Sequence, residues 1–281
     1  MEKVRLDSRD IEMFGDHLPR DGAPFILLSH GGGQTRHSWR GAGARLHALG
    51  FETLSVDLRG HGETGWPSPD RYGLGEFADD LIAWTQAFAG GRPVAMVGAS
   101  FGGIASLLAA TRPGSRVDAI ALVDIVPRVE MSGARRIRNF MLSNPEGFET
   151  LEQAAAAVAA YRGQPASTDY SGLEKNLRRR DDGRYYWHWD PEFMNRIPRG
   201  QERLDCLEAA ARAYKGPLLL VRGLQSDVVG KAGIEALRAL APQLDSVNVA
   251  SAGHMIASDR NDAFVEAVSE FLGRVLPVPA R

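Results

Sequence analysis

Pro93-Val94-Ala95-Met96-Val97-Gly98-Ala99-Ser100-Phe101-Gly102-Gly103 is the stretch on which the reading turns. Pro93 to Gly98 is an apolar run of the kind found in strands buried on both faces. The residues after Ser100 open a helix that continues to about Thr111 and is stopped by Pro113. At the junction, Gly98-Ala99-Ser100-Phe101-Gly102 matches Gly-x-Ser-x-Gly, and a strand-to-helix setting is what such a turn needs to lift a serine above the end of a sheet. The helix start brings its positive end to the same place. Alone, the pentapeptide could also describe a tight turn whose serine caps a helix. Its setting favours a nucleophile.

Working outward, short Val/Ile/Leu runs alternate with helical segments, the pattern of a mostly parallel sheet covered on both faces. Val4 to Leu6 and Ile11 to Phe14 flank the polar turn Asp7-Ser8-Arg9-Asp10 and read as an antiparallel opening pair. Phe25 to Ser29 leads into His30-Gly31-Gly32-Gly33, and Thr53 to Val56 leads into Asp57-Leu58-Arg59-Gly60-His61-Gly62. Ala119 to Asp124, Pro217 to Arg222 and Ser246 to Val249 are further strands. A helix over Ala232 to Leu240 and a closing helix over Asp262 to Val275 complete the alternation. The interval 127–214 breaks it. With the alanine-rich helix Glu152 to Tyr161, the run Arg178-Arg179-Arg180 and the cluster Tyr185-Tyr186-Trp187-His188-Trp189, it is too long for a plain connection. It reads as a helical lid inserted in a core made of 1–126 and 215–281.

Composition narrows the function classes. Over 281 residues, 35 acids nearly balance 33 Lys and Arg, so the chain has no electrostatic reason to seek nucleic acid or an anionic membrane. No segment has the length of apolar sequence that a membrane span needs, and Met1 to Asp10 lacks the apolar stretch of a signal peptide. The single cysteine, Cys206, excludes an internal disulfide framework, and no paired Cys or His spacing suggests a metal. A cytoplasmic enzyme acting on a small molecule without a cofactor is the expectation; oligomeric state is open.

A serine hydroxyl needs an adjacent base. Of the seven histidines, His254 in Ala252-Gly253-His254-Met255 stands just beyond the last strand, where loops gather at the carboxyl edge of the sheet. The acid that orients it is expected at Asp227, which follows the penultimate strand and gives the chain order Ser, Asp, His. Asp124, ending the strand after the nucleophile helix, competes for that role. The oxyanion of a tetrahedral intermediate needs backbone N–H donors. Phe101 supplies one, and the glycine turn supplies the other, at Gly32 or its neighbour Gly33. No Gly-Lys-Ser/Thr follows that turn and its spacing is not Gly-x-Gly-x-x-Gly, which argues against a phosphate cradle. Phe140, Met141, Tyr185, Trp187 and Trp189 are candidates to line an apolar pocket, unless they pack insertion onto core. His188 and Arg178 to Arg180 could meet a substrate carboxylate, although a solvated charged face suits the arginines better.

With these motifs in order, the chain resembles the lidded α/β-hydrolases, which include meta-cleavage product hydrolases, soluble epoxide hydrolases, cofactor-free haloperoxidases and small esterases. The resemblance covers about 4–124 and 217–275. It implies a structural role for Asp57, Arg59 and His61. Aspartate stands in place of Ser100 in epoxide hydrolases and haloalkane dehalogenases, so their alkyl-enzyme chemistry is not implied. The expected reaction is hydrolysis of a small to medium apolar or aromatic carboxylic ester or lactone through an acyl-enzyme. The alternatives are carbon–carbon bond hydrolysis of a vinylogous diketone, a slow or non-catalytic ligand sensor, and cofactor-independent oxygenation.

Overall fold

The computed structural model describes residues 1–8, 10–163, 165, 169–170, 172–250, 252–254 and 261–278; Arg9 of the expected opening turn and Met255 beside His254 lie outside them. In chain order the elements are β1 (Glu2–Ser8), β2 (Ile11–Leu18), β3 (Phe25–Ser29), α1 (Arg40–Ala48), β4 (Glu52–Val56), α2 (Leu74–Phe88), β5 (Val94–Ala99), α3 (Phe101–Ala110) and β6 (Ala119–Val123). Then come α4 (Met131–Met141), α5 (Leu151–Arg162), β7 (Leu177–Arg179), β8 (Tyr185–Trp187), α6 (Pro191–Arg196) and α7 (Gly200–Ala213). The chain closes with β9 (Leu218–Gly223), α8 (Lys231–Leu240), β10 (Leu244–Val249) and α9 (Asn261–Val275).

Eight strands form one sheet in the order β1-β2-β4-β3-β5-β6-β9-β10. β1, β2 and β4 pair antiparallel, and every other neighbour pair is parallel. The central strands β3, β5 and β6 are buried along their whole length, which is why they read as unbroken apolar runs. Their side chains alternate between two cores, as a period of two requires. Leu27, Met96, Ile120 and Leu220 join the core under α2, α3 and the insertion. Ile26, Val97, Ala121 and Val221 join the one under α1 and α9, with Trp39, Phe264 and Phe271. The edge strands β1 and β10 expose charged and polar residues, which discourages pairing with another chain.

The interval 127–214 differs from the expected helical unit in two respects. Its aromatic cluster is a strand: β8 pairs antiparallel with β7, with Leu177 opposite Trp187 and Arg179 opposite Tyr185. Moreover, α7 buries Leu207, Ala210 and Ala211 and packs on α3 and α8, so it belongs to the helical layer over the sheet. What projects beyond the sheet's carboxyl edge is the stretch before it. No helix of the described residues is long and apolar enough to cross a membrane.

Candidate active site

Ser100 occupies the turn between β5 and α3 with φ 47°, a conformation that costs a non-glycine residue free energy and survives only where its surroundings enforce it. They do so here: Ser100 N–H donates to Val123 O at 2.9 Å, and its carbonyl accepts from the N–H groups of Gly103 and Ile104. The turn must also pass under β3. A Cβ on Gly102 would lie 2.4 Å from Ser29 O and 2.6 Å from His30 O, so only glycine fits.

His254 Nε2 lies 3.0 Å from Ser100 Oγ, and its Nδ1 lies 2.7 Å from Asp124 Oδ2. A carboxylate accepts only, so Nδ1 carries the proton and Nε2 is left to accept from the serine. Asp124 is fully buried at the end of β6, with φ 49°. Its Oδ1 accepts from Gly223 N–H at 3.0 Å, and its Oδ2 from the Ser226 hydroxyl and His254. Ser226 in turn accepts from the N–H groups of Val228 and Val229, which fixes its hydroxyl on the carboxylate. Gly223 permits the approach of the histidine loop, since a Cβ there would meet Ala252 O and Gly253 O at 2.4 Å.

The expected acid, Asp227, does not reach His254. The turn after β9 carries it outward to α4, where its half-exposed carboxylate pairs with Arg136 at 3.1 Å and its backbone lies against Gly133. The competitor Asp124 holds the contact because it ends the strand next to β5, whose end carries Ser100. One signal in the sequence pointed that way: in Ala121-Leu122-Val123-Asp124-Ile125-Val126 a lone carboxylate sits among apolar residues, and a buried charge requires partners. Ser226 escaped notice altogether.

The glycine turn after β3 lies beside the serine, with a Cβ on Gly31 only 3.2 Å from Ser100 Cβ. Two of its three amides are committed: Gly31 N–H donates to Gln34 Oε1 and Gly33 N–H to His61 Nε2. Gly32 N–H has no acceptor among the described residues, so of the two expected donors in this turn it is the one at liberty. Three buried histidines brace the turn. His30 donates from Nδ1 to Gly31 O at 2.8 Å and accepts from Leu58 N–H, while His61 donates to Arg59 O. His188, from the insertion, accepts from Gly62 N–H at 2.8 Å and faces Gly33 O at 3.3 Å. Burial pushes His30 down to about 4; for His61, burial and the neighbouring His30 bring it down to about 3; burial also holds His188 well below the usual imidazole range. All three are neutral braces at neutral pH, so His188 is not placed to meet a substrate carboxylate. Asp57 and Arg59 are likewise tied into the scaffold. Asp57 accepts from the Arg36 N–H and guanidinium, and Arg59 forks onto Asp80 with both bonds at 2.7 Å.

A cavity of about 590 Å³ opens onto Ser100 and His254. Its apolar wall includes Ile104, Ile125, Ile137, Tyr161, Phe193 and Met194. Of the expected lining residues, Phe140, Met141 and Gly33 take part. Tyr185, Trp187 and Trp189 do not. Trp187 stacks on Trp189 at 4.8 Å and meets Phe148 edge-on, Trp189 Nε1 donates to Met141 O, and Tyr185 exchanges backbone bonds with Phe148. They form a packed layer behind the wall. Of the arginine run, Arg178 is partly buried, donating to Gly62 O and stacking on Trp66, while Arg179 and Arg180 are exposed over Tyr185 and Tyr186, as a solvated face would have them.

Comparison with known proteins agrees with this architecture. A family model described as alpha/beta hydrolase fold matches residues 24–260. The chain is 26% identical over 254 residues to Esterase Rv0045c of Mycobacterium tuberculosis, covering 88% of this chain and 82% of that protein. It is 27% identical over 223 residues to the 2-(acetamidomethylene)succinate hydrolase of Mesorhizobium japonicum, covering 79% and 78% respectively. Among solved structures, E-2-(acetamidomethylene)succinate hydrolase superposes with a TM-score of 0.82 at 24% identity, over 96% of this chain and 98% of that one, a likeness of fold. The chain belongs to the alpha/beta hydrolase fold family.

Proposed function

We propose that the chain is a serine hydrolase that cleaves a small to medium carboxylic ester or lactone through an acyl-enzyme, with residues 127–199 acting as a lid over the cavity. The observation that carries the reading is the continuous relay of Ser100 Oγ, His254 and Asp124, with contacts of 3.0 and 2.7 Å. As the Ser100 oxygen attacks the carbonyl carbon, its proton passes to His254 Nε2, and Asp124 stabilises the resulting imidazolium. The carbonyl oxygen becomes an anion, for which the N–H groups of Phe101 and Gly32 are the donors, each typically worth a few kcal/mol in the transition state. His254 then returns the proton to the leaving alkoxide. Water repeats the sequence in reverse order to release the acid and regain Ser100. The apolar wall suits an aliphatic or aromatic acyl group. Relatives named as an esterase and a hydrolase support the same chemistry.

Labelling with a fluorophosphonate followed by peptide mapping tests the nucleophile; the expected outcome is a single adduct on Ser100 and none in Ser100→Ala. Turnover of p-nitrophenyl esters should fall by several orders of magnitude in that variant. Full ester turnover in Ser100→Ala would remove the acyl-enzyme and leave direct attack by a water that His254 deprotonates. A dienoate diketone turned over faster than every ester would move the bond cleaved from C–O to C–C.

A further inference from the structure

Five arginines line the cavity above Ser100, namely Arg128, Arg135, Arg138, Arg199 and Arg203, and no aspartate or glutamate does so among the described residues. In an otherwise apolar wall that imbalance needs an explanation. Two of the five are answered by the protein itself. Arg128 pairs with Glu208 at 2.5 Å, and Arg199 donates to the carbonyls of Met194 and Asn195 at the end of α6. The other three have no ion pair or hydrogen bond among the described residues. Arg135 and Arg138, three residues apart, share a face of α4. The Nε of Arg138 is buried without an acceptor, and Arg203 projects from the first turn and a half of α7.

A guanidinium is costly to hold in an apolar cavity unless a counter-ion repays the desolvation. Burial lowers Arg203, and no neighbouring carboxylate acts to restore it. A planar fork of donors facing a substrate cavity is matched best by a carboxylate, which can accept two parallel N–H bonds. We infer that the substrate taken at Ser100 carries, away from its scissile carbonyl, a carboxylate held by Arg138 and Arg203, with Arg135 adding to the field that draws it in. The chemical class is thus a half-ester or lactone of a dicarboxylic acid, or an ester with an acidic side chain. This specificity rests on the hydrolase reading above, whereas binding of the acid does not depend on turnover.

Two measurements separate the claims. In the first, p-nitrophenyl esters of simple fatty acids are compared with the mono-p-nitrophenyl esters of dicarboxylic acids of matching length, from succinate to suberate. Wild type should prefer the acidic member of at least one pair by about tenfold or more in kcat/KM, the range expected of hydrogen bonds to charged groups. Arg203→Gln and Arg138→Gln should erase that preference mainly through KM, and Arg203→Lys should restore part of it. The quantity read is the ratio of the two esters within each variant, which a partial folding defect scales out. In the second measurement, Ser100→Ala is titrated calorimetrically with the free dicarboxylates and with monocarboxylates of the same length. Tighter binding of a dicarboxylate, lost in Ser100→Ala/Arg203→Gln, is expected. Equal ratios in wild type and both glutamine variants, or dicarboxylates that bind no better than monocarboxylates, would overturn the inference. If no ester turns over yet the dicarboxylate binds through Arg203, the hydrolase reading falls and the acid site stands.

Discussion

Two aspartates stand within reach of the same loop cluster, and they have opposite surroundings. Asp124 is fully buried and both its oxygens accept, from Gly223, Ser226 and His254, whereas Asp227 is half-exposed and pairs with Arg136. Removing charge from Asp124 should leave His254 in the wrong tautomer, so Asp124→Asn is expected to lower kcat by about 10⁴-fold. Asp227→Asn removes a partly solvated ion pair worth about 1 kcal/mol at most and should change kcat less than about threefold. Steady-state kinetics of the two variants decide the assignment; a collapse in Asp227→Asn alone would return the role to that residue. At this scale the sequence was informative where a residue belongs to a contiguous motif, as Ser100 does, or follows a strand directly, as His254 nearly does. For the acid it left two candidates, with the apolar neighbours of Asp124 as the one signal between them. Chain order placed the carboxylate after the penultimate strand, but which loop aims a side chain at His254 depends on the turn after β9, and nothing local in Leu224-Gln225-Ser226-Asp227 encodes that direction.

Among elements, the strand–turn–helix of β5 and α3 stands in conflict with simple helix propensity. In an exposed helix, replacing glycine by alanine gains about 1 kcal/mol. At Gly102 the added methyl would lie 2.4 Å from Ser29 O, so β3 or α3 must move. Gly102→Ala is therefore expected to destabilise the protein by more than about 2 kcal/mol and to displace Ser100 from His254. Urea unfolding and ester turnover read the two effects; a stabilised, fully active variant would refute the packing argument. The strands and the helices α3, α8 and α9 were legible because their apolar periods are set locally. The pair β7 and β8 was not. Tyr185-Tyr186-Trp187 is too short to show an alternation, and its pairing depends on contacts with Phe148 and Trp189 from elsewhere in the insertion.

For the whole molecule, the three buried neutral histidines link stability to pH. An unfolded imidazole titrates near 6.5, whereas His30 in the folded chain lies at about 4 and His61 at about 3. Well above pH 6.5 neither state binds a proton and stability is at its full value. As pH falls from 6.5 towards those folded values only the unfolded chain takes up protons, so stability drops by about 1 kcal/mol per pH unit for each such histidine. Urea midpoints at pH 7 and pH 5 should show this steep loss, and His188→Gln should reduce the slope by about one proton; identical slopes would deny that His188 is held neutral. The fold class was readable from the alternation of elements, because strands alternating with helices imply a mostly parallel sheet covered on both faces. The histidine braces were not, since they join segments that lie far apart in the chain, such as Gly62 and His188.

The insertion is tethered unevenly. Near β8 and α6 it is fastened by buried bonds, from His188 to Gly62, from Tyr72 to Asp190 at 2.8 Å, and from Asp190 N–H to Gly60 O at 2.8 Å. Near α4 its ties include one backbone bond, from Glu130 N–H to Val228 O at 2.9 Å, and the ion pairs Arg136–Asp227 and Arg128–Glu208, whose arginines are more than half-exposed. The first side is held mainly by buried bonds and the second mainly by exposed charges. Salt screens exposed ion pairs far more than buried hydrogen bonds, so raising the ionic strength is expected to loosen the α4 side, next to the loop that carries Asp227, before the side at β8 and α6.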